Sequence, residues 1–149
     1  MVALFGSDEF IQQFKDTVNG NTAYADAAKD WEGDFLFIVK PDGPLKSEII
    51  YYVDLYHGKC REAHLVPASE SQKTSFIYEG PLRSWVKLLG KQLDPIGSLM
   101  LGKFKLHGNL ATILRYTRAA KELVNSVSQV PTEFPEDWTQ YIADLRSQG

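Results

Sequence analysis

At 149 residues the chain has the length of one domain, with enough apolar surface to close a core of its own. A net charge of −3 and a pI near 5.6 withhold the basic footprint that general nucleic-acid binding needs, and the lone Cys60 leaves neither an internal disulfide nor a thiolate metal cluster. The apolar run Val2 to Phe5 is too short for a signal peptide or a membrane span, so the expectation is a soluble, cytoplasmic protein with a buried thiol and no cofactor.

Ser7 is placed to cap a helix from Asp8 to about Val18, with Phe10, Ile11, Phe14 and Val18 on one stripe. Asn19-Gly20-Asn21 ends it, and Thr22 is the candidate cap of a second helix that puts Tyr24, Ala27, Ala28 and Trp31 on one side. From Asp34 the period changes to that of strands. Phe35 to Val39 is an apolar run, Pro41 to Pro44 a turn, and Ile49 to Tyr56 a β-branched and aromatic run. His57-Gly58-Lys59 turns the chain into a third strand, Cys60 to Val66. A loop over 67–72 precedes a fourth strand, Lys73 to Glu79, in which Thr74, Phe76 and Tyr78 oppose Ser75, Ile77 and Glu79. Gly80-Pro81 then opens a helix to about Leu89 with Trp85, Leu88 and Leu89 on its apolar face.

Asp94 and Pro95 fit the cap and first position of a short helix whose Ile96, Leu99 and Met100 share a face. Gly97 inside that turn costs about 1 kcal/mol relative to alanine, which points to a close backbone approach or to room for a ligand. Gly102 stops the turn, and Lys103 to His107 alternates as a fifth strand, with Phe104 and Leu106 inward. Leu110, Ile113, Leu114, Thr117, Ala120, Leu123, Val124 and Val127 then repeat at helical spacing over nearly five turns until Pro131. Residues 132–149 hold a separate amphipathic helix with Phe134, Trp138, Tyr141, Ile142 and Leu145. It reads either as a lid over an apolar opening or as a helix docked on the core or on a second subunit. Strands in the middle and helices at both ends predict an α+β fold, with a five-stranded, mainly antiparallel sheet covered by helices on one face.

Gly90, Lys91, Leu93, Asp94, Pro95, Met100, Gly102, Lys103, Lys105 and Gly108 fall in the order Gly-Lys-x-Leu, Asp-Pro, a Met-containing turn, Gly-Lys-x-Lys, Gly. This block resembles the sterol-carrier-protein domain family, and Trp31 to Asp34 and Asp54 to Cys60 look like its free-standing prokaryotic members. The resemblance covers roughly residues 22 to 128; Ser147-Gln148-Gly149 does not match the peroxisomal ending of eukaryotic carriers. It implies an apolar tunnel between sheet and helices, and non-enzymatic binding and transfer of a lipid: a fatty acid, an acyl-CoA, a sterol-like or a membrane lipid. On the matching block the candidate lining residues are Trp85, Leu88, Leu89, Ile96, Leu99, Met100, Phe104 and Leu106, with ordinary core packing as the alternative for each.

Residues 81–121 hold 8 basic side chains and 1 acidic one in an otherwise acidic chain. Such a block suits a transient contact with an anionic membrane surface, and Lys103 and Lys105 are its candidates for a headgroup or phosphate; a solvated face paired with acidic neighbours is the plainer reading. Monomer and homodimer both stay open. Two other functions compete. A small α+β cavity can host acid-base chemistry on an apolar substrate, but the nearest pair, Asp54 and His57, is poorly spaced on a strand, and His57, His64 and His107 lie at no metal-ligand spacing. No G-x-S-x-G elbow or phosphate-binding glycine loop is present. A cargo-free interaction module on the same fold is the remaining alternative.

Overall fold

The computed structural model describes residues 2–67 and 73–148, so most of the expected loop over 67–72 lies outside the described residues. The chain enters through a two-residue strand, β1 (Ala3–Leu4), and helix α1 (Asp8–Asn19), whose first turn is capped as expected: the Ser7 hydroxyl accepts from the Phe10 N–H at 3.3 Å. All four residues of its stripe are buried. Helix α2 (Thr22–Ala27) is capped by Asn21 rather than Thr22. The Asn21 side-chain carbonyl accepts from the Tyr24 N–H at 3.0 Å, while its amide donates to Ser126 Oγ at 2.9 Å and to the Glu122 backbone at 3.3 Å. A threonine hydroxyl caps a helix but cannot also donate from an amide, so the longer side chain both caps and anchors.

Four strands follow: β2 (Glu32–Lys40), β3 (Ile49–Tyr56), β4 (Lys59–Val66) and β5 (Phe76–Pro81). Helices α3 (Leu82–Leu89) and α4 (Gly97–Met100) lead to the edge strand β6 (Lys105–His107). The sheet order is β4-β3-β2-β5-β6, antiparallel throughout except for the parallel pair of β2 and β5 at its centre. The β3–β4 hairpin closes through His57 and Gly58, both at positive φ, and a Cβ on Gly58 would stand 2.6 Å from the Ala25 carbonyl. Only glycine fits so tight an approach between the turn and α2.

The expected long C-terminal helix is two pieces, α5 (Leu110–Leu114) and α6 (Thr117–Ser128), broken at Tyr116, which leaves helical geometry at φ −117° and ψ 34°. The Tyr116 ring meets the Trp31 ring edge-on at 4.9 Å, and its hydroxyl donates to the Asp30 carbonyl at 3.4 Å. Tertiary packing of one aromatic ring thus interrupts a helical period that runs on in the sequence. Beyond it lie β7 (Thr132–Glu133), a single 3₁₀ turn over Glu136–Trp138, and α7 (Thr139–Ser147). β7 pairs with β1 in a small parallel sheet that ties the two ends of the domain together. The tail packs against α3 with Trp138, Ile142 and Leu145 buried, and Tyr141 donates to Asp42 at 2.7 Å. Through these contacts the helix is docked on the core.

All helices join the core on one face of the sheet. The opposite face carries a smaller strip of Leu36, Tyr52 and Val66, flanked by Ile38, Ile50 and Ile77, to which no described helix residue contributes. On β2 the alternation decides the faces: Phe35, Phe37 and Val39 look toward the helices, Leu36 and Ile38 away.

Candidate lipid site

Strand register builds the floor of a cavity. Tyr51, Phe37, Tyr78 and Leu106 stand opposite one another on β3, β2, β5 and β6, so one row of large side chains crosses the inner face of the sheet. All four line a cavity of about 130 Å³ between sheet and helices. Phe35 and Val39 extend the floor along the central strand. Phe37 is the telling residue: it sits on the middle strand under a layer of helices, where a full core would bury it, yet it stays half-buried because open space lies in front of it.

The roof comes from α1 through Phe10, Ile11 and Phe14, and from the broken helix through Ile113, Tyr116, Leu123 and Val127. No charged residue lines the cavity among the described residues, and its walls are almost wholly apolar. Where the lining rings carry polar atoms, the backbone takes nearly all of them. Tyr51 donates to the Ser7 carbonyl at 2.9 Å, Tyr78 to the Pro95 carbonyl at 2.9 Å, Trp85 to the Ile38 carbonyl at 2.9 Å and Trp31 to the Gly33 carbonyl at 3.2 Å. Burial pushes the Tyr51 and Tyr78 phenols well above the ordinary range, so both stay neutral.

Of the eight residues singled out in the sequence, Trp85, Leu88, Leu89, Ile96, Leu99 and Leu106 line this cavity. Phe104 and Met100 do not. Phe104 is 2% exposed and packs behind the wall, stacked on Tyr78 at 4.6 Å, edge-on to Trp85, and pressed against Gly80, where a Cβ would lie 2.6 Å from its ring. Met100 is 66% exposed. The Asp94 carboxylate accepts from the Gly97 N–H at 2.6 Å, so the helix starts later than expected and makes a single turn. Pro95 and Ser98 are buried in that turn and Leu99 half-buried, which leaves Met100 and Leu101 on the solvent side. Gly97 packs closely on that cap: a Cβ there would meet the Asp94 carboxylate at 3.3 Å, with no sheet atom among its nearest neighbours.

The lining residues of α1, β2 and the broken helix were visible only as stripes. Phe35, Phe37 and Val39 alternate inward, but a stripe says which face is buried, not whether that face meets a neighbour or a void.

Of the eight basic residues at 81–121, Arg83 pairs with Asp42 and Arg118 with Asp26. The other six make no ion pair among the described residues. Lys105 stands opposite Glu79 on the outer face of the sheet, on the far side from the cavity, and Lys103 is exposed in the turn before it. Asp54 and His57 are not brought together: Asp54 binds Arg61 at 3.1 Å and His57 lies 2.6 Å from Glu32. Cys60 is buried, and burial raises its thiol pKa to about 12. No group of three His, Cys, Asp or Glu side chains converges among the described residues, and no described helix is long and apolar enough to cross a membrane.

The model of the SCP-2 sterol transfer family matches residues 11–121. A crystal structure of sterol carrier protein 2 is 32% identical over 85% of this chain and 98% of its own, with a TM-score of 0.76. The solution structure of a conserved hypothetical protein from Thermus thermophilus, described as a possible sterol carrier protein, is 30% identical over 87% of this chain and 91% of its own, at 0.78. A stretch of 86 residues is 30% identical to stomatin-like protein 1 of Mus musculus; it covers 58% of this chain and spans 20% of that relative's length.

Proposed function

This chain belongs to the SCP-2 sterol transfer family, and from that premise we propose that it binds a lipid in the apolar cavity and carries it through water without chemistry of its own. The observation that carries the reading is the void in front of Phe37, in the position where the fold would otherwise place its densest packing. Empty apolar space forfeits contacts that a hydrocarbon restores. Each buried methylene contributes about 0.8 kcal/mol, so the driving force grows with the length of chain enclosed, before the cost of association. Fatty acids, their coenzyme A thioesters, sterol-like molecules and membrane lipids all offer such a body.

Delivery requires contact with a membrane. Met100 and Leu101, 66% and 71% exposed, project from the end of α4, whose Leu99 reaches the cavity, and Lys103 follows directly. Apolar tips beside unpaired cations suit an anionic lipid surface. Lys105, on the outer face of the sheet, serves that surface better than it serves a phosphate on cargo inside the cavity.

Native mass spectrometry of the purified protein, with extraction of whatever co-purifies, tests the reading directly. A stoichiometric lipid adduct is expected. Ala120→Phe, which puts a ring into the cavity, is expected to abolish binding of the neutral dye Nile red while unfolding stays cooperative. An apo mass unchanged after incubation with fatty acids, acyl thioesters and sterols sinks the proposal and moves the protein to the interaction-module class.

A further inference from the structure

One ring in the cavity wall differs from all the others. Tyr24, on α2, is 1% exposed and lines the cavity, but its hydroxyl has no hydrogen-bond partner among the described residues. No fully enclosed side-chain oxygen or nitrogen lacks a partner among those residues, so the Tyr24 oxygen keeps contact with open space. The open space that the Tyr24 ring borders is the cavity. A buried hydroxyl without a partner costs about one to two powers of ten in an equilibrium constant, and such groups call for an explanation.

The residue is also held firmly. Asn21 fixes the Tyr24 N–H at the start of α2 and ties that end to α6 through Ser126 and Glu122. With the ring itself 1% exposed, the hydroxyl has little room to move. Burial, with the nearby Cys60, drives its pKa far above the ordinary phenol range, so it offers a proton at every physiological pH.

We infer that the Tyr24 hydroxyl is the anchor for one uncharged oxygen of the cargo, so that the cavity prefers a lipid whose buried end is an alcohol or a neutral carbonyl over one that ends in a carboxylate. The inference rests on the carrier reading above. The reason for the preference is the composition of the wall: no cation lines the cavity among the described residues, and an ionised carboxylate taken into it would lose its hydration with a single phenol in exchange. An alcohol both donates and accepts and loses far less. A fatty acid can still bind by its chain with the carboxylate left in water, and Tyr24 then stays unpaired.

The experiment compares the intact wild-type chain with Tyr24→Phe, using Nile red displacement by 1-decanol and by decanoate at neutral pH. The ring is kept, so the wall is kept, and the thermal midpoint of the apo variant is expected to be equal to or above that of wild type, because a hydroxyl without a partner is removed. The variant is expected to bind 1-decanol about tenfold more weakly, the factor of one buried hydrogen bond, with Nile red and decanoate changed less than about twofold. Unchanged 1-decanol affinity, or equal loss for alcohol and carboxylate, overturns the anchor while leaving the carrier reading intact. A marked fall in the apo midpoint also overturns it, by showing a structural partner for the hydroxyl. Failure of wild type to bind Nile red and both ligands removes the carrier reading itself.

Discussion

Asp42 gathers two distant parts of the chain on one carboxylate. Its oxygens accept from the Arg83 backbone N–H at 3.0 Å, from the Arg83 guanidinium at 3.1 and 3.2 Å, and from the Tyr141 hydroxyl at 2.7 Å. Partial burial alone would raise the pKa of this carboxyl, but the Tyr141 and Arg83 bonds outweigh it and hold the group below the ordinary carboxylate range. A folded value below the unfolded one contributes stability that is complete above the unfolded value, about 4, and is lost as the pH falls through the folded value. Asp42→Asn is expected to cost about 2 kcal/mol at neutral pH in urea unfolding, within the range for hydrogen bonds to a charged group. The same substitution should flatten the acid limb of the pH–stability curve. A variant as stable as wild type at neutral pH, with the same acid limb, would show that the cluster is incidental.

Among the elements, the C-terminal helix α7 and the 3₁₀ turn before it carry the clearest consequence. Trp138 is 6% exposed, faces Phe134 at 6.4 Å, and Phe134 in turn meets Phe5. Among the described residues, no cavity-lining residue lies beyond Val127. Trp138→Ala is therefore expected to cost about 3–5 kcal/mol of stability and to leave Nile red affinity within about twofold. A lid would give the reverse, a small change in stability and a large one in affinity. The broken helix follows the same logic from the other side. Tyr116 lines the cavity where it leaves the helical path to meet Trp31, so the break shapes the cavity.

For the molecule as a whole, the carrier proposal assigns binding and delivery to different surfaces. The cavity is apolar and uncharged, whereas Met100, Leu101 and the unpaired cations nearby in sequence face water. Replacing Met100 and Leu101 by glutamate removes apolar area from the proposed membrane contact and adds charge of the wrong sign. The double variant is expected to slow transfer of a fluorescent lipid from phosphatidylserine-containing vesicles by about tenfold, with equilibrium affinity for the free lipid unchanged. Raised salt should slow wild type toward the same rate, since attraction to the vesicle is screened. Equal transfer rates for variant and wild type would place the docking surface elsewhere.

Local signals were legible wherever the deciding chemistry lies within a few residues. The Ser7 cap, the strand over Ile49–Tyr56, the hairpin at His57-Gly58 and the stop at Gly102 each depend on a side chain or a φ value that the sequence displays. The order of strands and helices likewise followed from periodicity, and with it the α+β class. Long-range competition escaped it. Nothing near Tyr116 announces that Trp31, 85 positions earlier, will draw its ring out of the helix. Nothing near Met100 tells that a one-turn helix will expose it. Above all, hydrophobic patterning determined which faces turn away from water, because that depends on each residue's own transfer energy. Only the tertiary structure decided that two such faces stand apart at Phe37, since a void is a property of the distance between elements and of no residue alone.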